Sequence, residues 1–142
     1  MTCIAWDGKT LAADKRVTNS GLGSTITKVF EVNGKIVAFS GDGDAAMEML
    51  AWFSAGAKPE KFPARNRSEK DWALLVVVDK EGLRYYERTP YPIHNEDPFW
   101  ACGAGRDYAL AAMYLGKTAR EAVEVACHFD ISCGNGIDTM TL

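Results

Sequence analysis

Thr2 holds the most compact arrangement for covalent chemistry in the chain. Removal of Met1, usual when a small side chain follows, leaves a free α-amine on the residue that carries the hydroxyl. Such an amine has an ordinary pKa of about 7.7 to 8.0, so part of it is neutral near neutral pH and can take the hydroxyl proton. Nucleophile and base are then one residue. Met-Thr also opens many chains in which it does nothing, so the surroundings must decide. Cys3 and Cys133, with His94 or His128 as base, offer a thiol alternative, but strand alternation would turn Cys3 away from Thr2. Asp42 and Asp44 could pair on a cation. Gly103-Ala104-Gly105 could cradle an anion before a helix, yet the lysine and Ser/Thr of a phosphate loop are missing.

The run Ala12-Ala13-Asp14-Lys15-Arg16-Val17-Thr18-Asn19-Ser20-Gly21, followed by Lys28-Val29, places alanine, aspartate, arginine, threonine and glycine in one order. That order resembles the signature of proteasome β-subunits and the related HslV peptidase. The resemblance implies Thr2, Asp14 and Lys28 as the catalytic three, with the lysine ammonium beside the threonine hydroxyl and the aspartate orienting the lysine. It gives Arg16 the support of the active-site loop and Thr18 a backbone that pairs with an extended substrate. The stretch from Asp14 to Lys28 is about two residues shorter than the family spacing. Lys15, the other candidate lysine, follows Asp14 directly and would point to the opposite strand face.

Three further segments extend the resemblance. Ala38-Phe39-Ser40-Gly41-Asp42-Gly43-Asp44-Ala45 resembles a glycine turn of the family, which makes Gly41 the amide donor to a tetrahedral oxyanion and sets Gly43 to Met47 along the pocket for the substrate residue before the cut. The same residues also read as a plain helix start with Asp42 or Asp44 as cap. Ala101-Cys102-Gly103-Ala104-Gly105-Arg106 resembles the family's G-S-G turn, with Ala104 where the family has serine. Asp130-Ile131-Ser132-Cys133-Gly134-Asn135-Gly136 resembles D-x-x-S-G-G, with Cys133 in place of serine. Asp130 and Cys133 would complete the hydrogen-bond set around the α-amine, Ser132 being a substitute for the displaced hydroxyl; a helix end with bending glycines is the other reading.

Taken together, the resemblance implies a threonine peptidase cutting polypeptides without cofactor or metal. It also implies a homo-oligomeric ring, hexamer or heptamer and possibly stacked, that can be served by an AAA+ ATPase unfoldase. A non-catalytic ring subunit and a different amidohydrolase or acyl transferase on the same fold stay open.

The elements that must position these groups follow from turn signals and periodicity. Residues 2–6 and 9–14 flank Asp7-Gly8, residues 27–32 and 35–40 flank Asn33-Gly34, and residues 72–79 and 83–87 flank Lys80-Glu81-Gly82, which predicts three hairpins. Helices are predicted over 44–53, 106–115 and from Thr118, where Glu121 completes a capping box. Residues 56–67 and 88–98, broken by proline, read as surface loops, and a last strand closes the chain. Adjacent strands exclude a doubly wound parallel sheet. The expectation is α+β: a four-layer αββα sandwich of two antiparallel sheets flanked by helices, in a single domain over 1–142.

The bulk composition is compatible. The chain has 142 residues, 47% apolar and 25% charged, which is enough for one packed core. A net charge of −3 lacks the basic footprint of a nucleic-acid binder or a polybasic membrane anchor. The longest apolar run, residues 72–78, is far below the roughly 20 needed to span a bilayer. With no signal-like start and four scattered cysteines, the sequence reads as cytoplasmic.

Overall fold

The structure is a computed structural model and describes residues 2–142, so the expected removal of Met1 concerns a residue outside it. In chain order the elements are β1 (Ile4–Trp6), β2 (Thr10–Asp14), β3 (Arg16–Asn19), β4 (Leu22–Thr25), β5 (Val29–Val32), β6 (Lys35–Gly41), α1 (Gly43–Ser54), β7 (Ala73–Asp79), β8 (Gly82–Tyr86), β9 (Ile93–His94), β10 (Trp100–Cys102), α2 (Arg106–Tyr114), α3 (Ala119–Phe129) and β11 (Ile137–Thr141). Contacts group them into two compact units, one running to Phe30 and resuming over Glu96–Leu142, the other Glu31–Asn95.

The first unit is built on an antiparallel sheet in the order β10-β1-β2-β11, with Ala5 opposite both Ala12 and Ala101. Helices α2 and α3 cover it. Small residues make the contact: Ala5, Ala12 and Ala101 share a buried cluster with Ala109, Ala112, Ala122, Val123 and Ala126. Short side chains let helix and sheet backbones approach closely, and each change of a methylene there is felt because the packing is dense. The predicted capping box is present, with the Thr118 hydroxyl accepting from Glu121 N and the Glu121 carboxylate accepting from Thr118 N. Asp7 adds a second cap: one oxygen accepts from Lys9 N and Thr10 N in the first hairpin turn, and the other accepts from Ala119 N at the start of α3.

A two-stranded ribbon, β3 with β4, leaves the same unit between the two lysines. The sequence predicts no strand pair there. Its residues are exposed or half-buried on both faces, so the alternation that betrays a strand is missing, and only Ser20 and Gly21, both at positive φ, mark the turn.

The second unit carries a sheet in the order β5-β6-β7-β8-β9, with α1 packed on β6 and β7 through Ala45, Ala46, Met49, Trp52 and Phe53. Asp42 caps α1 by accepting from Ala45 N at 2.9 Å, the plain helix-start reading of that residue. The predicted three-residue turn at 80–82 is shorter, because Gly82 already pairs with Asp79 in the ladder. The loop over 56–71 is held from below: Trp52 packs edge-on against Phe62 and Tyr86, and fully buried Asn66 bonds Ala73 N, Ala73 O and Glu87 O. Among the described residues no helix is long and apolar enough to cross a membrane.

Candidate active site

The open end of the β1–β2 hairpin builds the site. Asp14 N donates to Cys3 O at 3.1 Å, which continues the ladder, but the return bond comes from a side chain: Cys3 N donates to Asp14 Oδ1 at 3.0 Å. The carboxylate thereby replaces a main-chain carbonyl and is drawn inward. Arg16 N and Gly134 N both donate to its other oxygen, at 3.2 and 3.1 Å. Lys28 Nζ completes the shell at 2.8 Å from Oδ1, so each oxygen accepts two bonds and the carboxylate is saturated.

Lys28 reaches this point although the segment before it is short. The β3–β4 ribbon takes up residues 16–25, and Ile26 N donates back to Lys15 O, which returns the chain to its starting strand. From there Lys28 Nζ donates to Thr2 Oγ1 at 3.2 Å as well as to Asp14. Thr2, Asp14 and Lys28 are 4%, 0% and 2% exposed. A buried ion pair is tolerable only when fully bonded, and none of the buried side-chain nitrogens and oxygens among the described residues lacks a partner. Lys15 takes a different course, with its ammonium on Asp138 Oδ2 at 2.6 Å and Thr27 Oγ1 at 3.1 Å.

Glycines set the other side. Gly103 has φ +91, and a Cβ there would lie 2.1 Å from Thr2 O, so only glycine fits against Thr2. Gly105 N donates to Thr2 O at 3.2 Å, and a Cβ at Gly105 would collide with Cys3 and Ala126. The turn over 103–105 therefore clamps the Thr2 carbonyl, and Ala104 at its tip is exposed. No side-chain motif announces these contacts, since the groups that make them belong to the backbone.

The remaining candidates fall at distinct places. Arg16 donates through Nε to Asn135 Oδ1 and through Nη1 to Ile131 O, spanning the loop that carries Gly134. Thr18 lies in β3, opposite Gly23 of β4. The Asp130 carboxylate accepts from Ser132 Oγ at 2.6 Å and Ser132 N at 2.9 Å, bonds that hold its pKa below the usual carboxylate value. Cys133 is buried in the cluster with Cys3, Ala101 and Ala126, and burial first of all pushes its thiol up to about 11. Burial likewise raises Cys102 to about 12, Cys127 to about 11, and Cys3 further still. Thiols raised in this way stay protonated near neutral pH, which disfavours a cysteine as the nucleophile. Gly41, Gly43 and Met47 belong to the second unit: Gly41 ends β6 at φ +114 with its Cα face against Trp72 O, Gly43 opens α1, and Met47 is half exposed.

No protein-family model matches the chain. Solved structures do resemble it. BPH of Thiobacillus denitrificans in complex with epoxomicin superposes with a TM-score of 0.77 at 17% identity, covering 100% of this chain and 98% of that one. A second structure of BPH gives 0.74 at 18% identity, over 99% and 96% of the two chains. Eukaryotic HslV from Trypanosoma brucei gives 0.73 at 20% identity, over 99% and 98%. The likeness runs the length of the chain and shows an α+β fold of the HslV and proteasome β-subunit type.

Proposed function

We propose that this chain, which has the backbone of HslV-type peptidases, is a threonine-type endopeptidase subunit acting through Thr2 once the bond before it is cut. The observation that carries the reading is the buried ammonium of Lys28, 2.8 Å from Asp14 Oδ1 and 3.2 Å from Thr2 Oγ1. A fixed cation there favours the developing alkoxide without any reorganisation at the moment of reaction. The freed α-amine takes the hydroxyl proton, Oγ1 attacks the substrate carbonyl, and the tetrahedral intermediate collapses to an ester as the proton passes to the leaving amine. Water, deprotonated by the same amine, then attacks the ester and returns Thr2 to its starting state.

In this reading β3 around Thr18 aligns the peptide as an added strand. Asp130 and Cys133 complete the hydrogen-bond set around the amine, with Ser132 as the substitute for the displaced hydroxyl. The substrate is an unfolded polypeptide, and the subunit works in a cytoplasmic hexameric or heptameric ring, stacked in pairs and fed by an AAA+ ATPase. A particle many times 15.5 kDa is therefore expected on size measurement. Turnover of short fluorogenic peptides by protein whose intact mass shows a free Thr2, and its loss in Thr2→Ala, tests the activity; unchanged turnover in Thr2→Ala refutes it.

Two substitutions favour a second reading, a ring subunit without activity. Ala104 presents a methyl where the family has a hydroxyl, and Cys133 presents a thiol, raised by burial, where the family has serine. A purified chain that retains Met1 and turns over no peptide supports that reading.

A further inference from the structure

Asn135 makes hydrogen bonds from both ends of its side chain, next to the amide that holds Asp14. Its φ is +63, a region that glycine enters freely and other residues enter at a cost, so the side chain must offset a backbone that Gly would occupy without strain. Asn135 Oδ1 accepts from Arg16 Nε at 2.9 Å, and Asn135 Nδ2 donates to Thr25 Oγ1 at 2.9 Å. The orientation of the amide is dictated chemically: a guanidinium only donates, so the oxygen must face Arg16 and the nitrogen is left for Thr25. Arg16 in turn lies directly on the loop. Its Nη1 donates to Ile131 O, and a Cβ on Gly134 would sit 2.7 Å from its Nη2. Gly134 is held edge to edge with the end of β2, its N–H on Asp14 Oδ2 and its carbonyl accepting from Lys15 N.

We propose that Asn135 is a positioning residue that, by bridging Arg16 to Thr25, holds the Gly134 amide on the Asp14 carboxylate and ties the β3–β4 ribbon to the Thr2 site. Asn135 touches neither Thr2 nor Lys28 in this scheme; it acts through Arg16 and Gly134. The bridge joins the two functions assigned to this region, since the ribbon aligns the substrate and Asp14 orients Lys28. The catalytic part of the inference rests on the peptidase reading, whereas the bridge itself does not.

Asn135→Gly is the clean deletion, because it relieves the backbone while removing both bonds. Asn135→Asp keeps an oxygen for Arg16, and Thr25→Val removes the far partner. Hydrogen exchange read by mass spectrometry on the full chain is expected to quicken about tenfold over residues 131–136 in Asn135→Gly, the scale of one hydrogen bond to a charged group, and to be unchanged over β7 and β8. Thr25→Val is expected to give a smaller increase in the same segment. With peptide substrate, Asn135→Gly is expected to lower kcat about tenfold, and Asn135→Asp to recover at least half of that loss. Thr25→Val is expected to raise KM more than it lowers kcat.

Unchanged exchange over 131–136 in Asn135→Gly overturns the bridge. Faster exchange with kcat unchanged in an active enzyme overturns the positioning role. If the wild-type chain turns over no peptide, the peptidase reading fails, and the exchange result alone rules on the bridge.

Discussion

Thr2 and Cys3 are neighbours in sequence and both buried, yet their surroundings differ in kind. Thr2 meets a buried ammonium whose counter-charge is saturated with hydrogen bonds. The side chain of Cys3 enters a cluster of alanines and valine with Cys133, where desolvation, above all, keeps the thiol protonated. Burial alone silences a nucleophile. Burial beside a paired, fully bonded charge instead leaves a hydroxyl next to a cation that is already in place and that water does not screen.

Removal of the ammonium has the largest expected effect. Lys28→Met leaves the Asp14 carboxylate buried without its cation and is expected to cost about 3–5 kcal/mol in urea denaturation, together with all peptide turnover. Asp14→Asn added to it should restore part of the stability and none of the activity. A loss of stability in Lys28→Met below about 1 kcal/mol would mean the pair is not buried as described.

Next in size is the glycine clamp. Gly103→Ala forces a Cβ into Thr2 O from a backbone at φ +91, and a loss of about 1–3 kcal/mol in stability is expected, with Thr2 displaced and kcat reduced. Gly105→Ala pushes on the side chains of Cys3 and Ala126, reaches Thr2 only through the bond from its N–H to Thr2 O, and should lower kcat less than Gly103→Ala does. Equal effects of the two on kcat would erase the distinction.

The thiol side is sharpened by pH. The folded pKa values of Cys133, Cys127 and Cys102 lie above the ordinary 9.0, so the native state keeps protons that the unfolded state has released. Stability should therefore fall as pH rises from about 9 toward about 11 and be unaffected by these groups below that window. Urea midpoints at pH 7.5 and 10 measure this, and iodoacetamide at pH 7.5 should modify the native chain far more slowly than the unfolded one. Equal midpoints, or native cysteines that alkylate at the unfolded rate, would show that the thiols are not held as the cluster implies.

The smallest effect is at Asp130. Its pKa is lowered by the two bonds from Ser132, so its contribution is present above the ordinary carboxylate value of 3.8 and is lost as pH falls through the lowered one. Ser132→Ala removes the hydroxyl bond and leaves the amide bond, and should move the acid-unfolding midpoint slightly upward. An unmoved midpoint would leave Ser132 without a hold on Asp130.

What could be read in the sequence was carried by side chains at fixed spacing. Thr118 with Glu121 announces its helix, Asn33-Gly34 its hairpin, and Asp14 and Lys28 are brought to Thr2 despite the shortened segment between them. What could not be read was carried by backbone and by exposed chain. The Cys3 and Gly134 amides that saturate Asp14 have no signature of their own, and Gly103 reads as one glycine of a turn until its Cα is seen against the Thr2 carbonyl. The β3–β4 ribbon escaped because both of its faces are solvated. Cys133 matches a motif position, but the motif does not say that the residue also packs in the cluster with Cys3 while its thiol bonds the Ser132 side chain, which is a tertiary outcome.

In the peptidase reading the Thr2 hydroxyl, activated beside Lys28, is the nucleophile of this chain. A peptide epoxyketone needs both a hydroxyl and a free amine on one residue, so mass spectrometry after its reaction with protein lacking Met1 tests the claim directly. The expected result is a single adduct on Thr2, absent in Thr2→Ala and in Lys28→Met. No adduct on Thr2, or an adduct on a cysteine in its place, would contradict it.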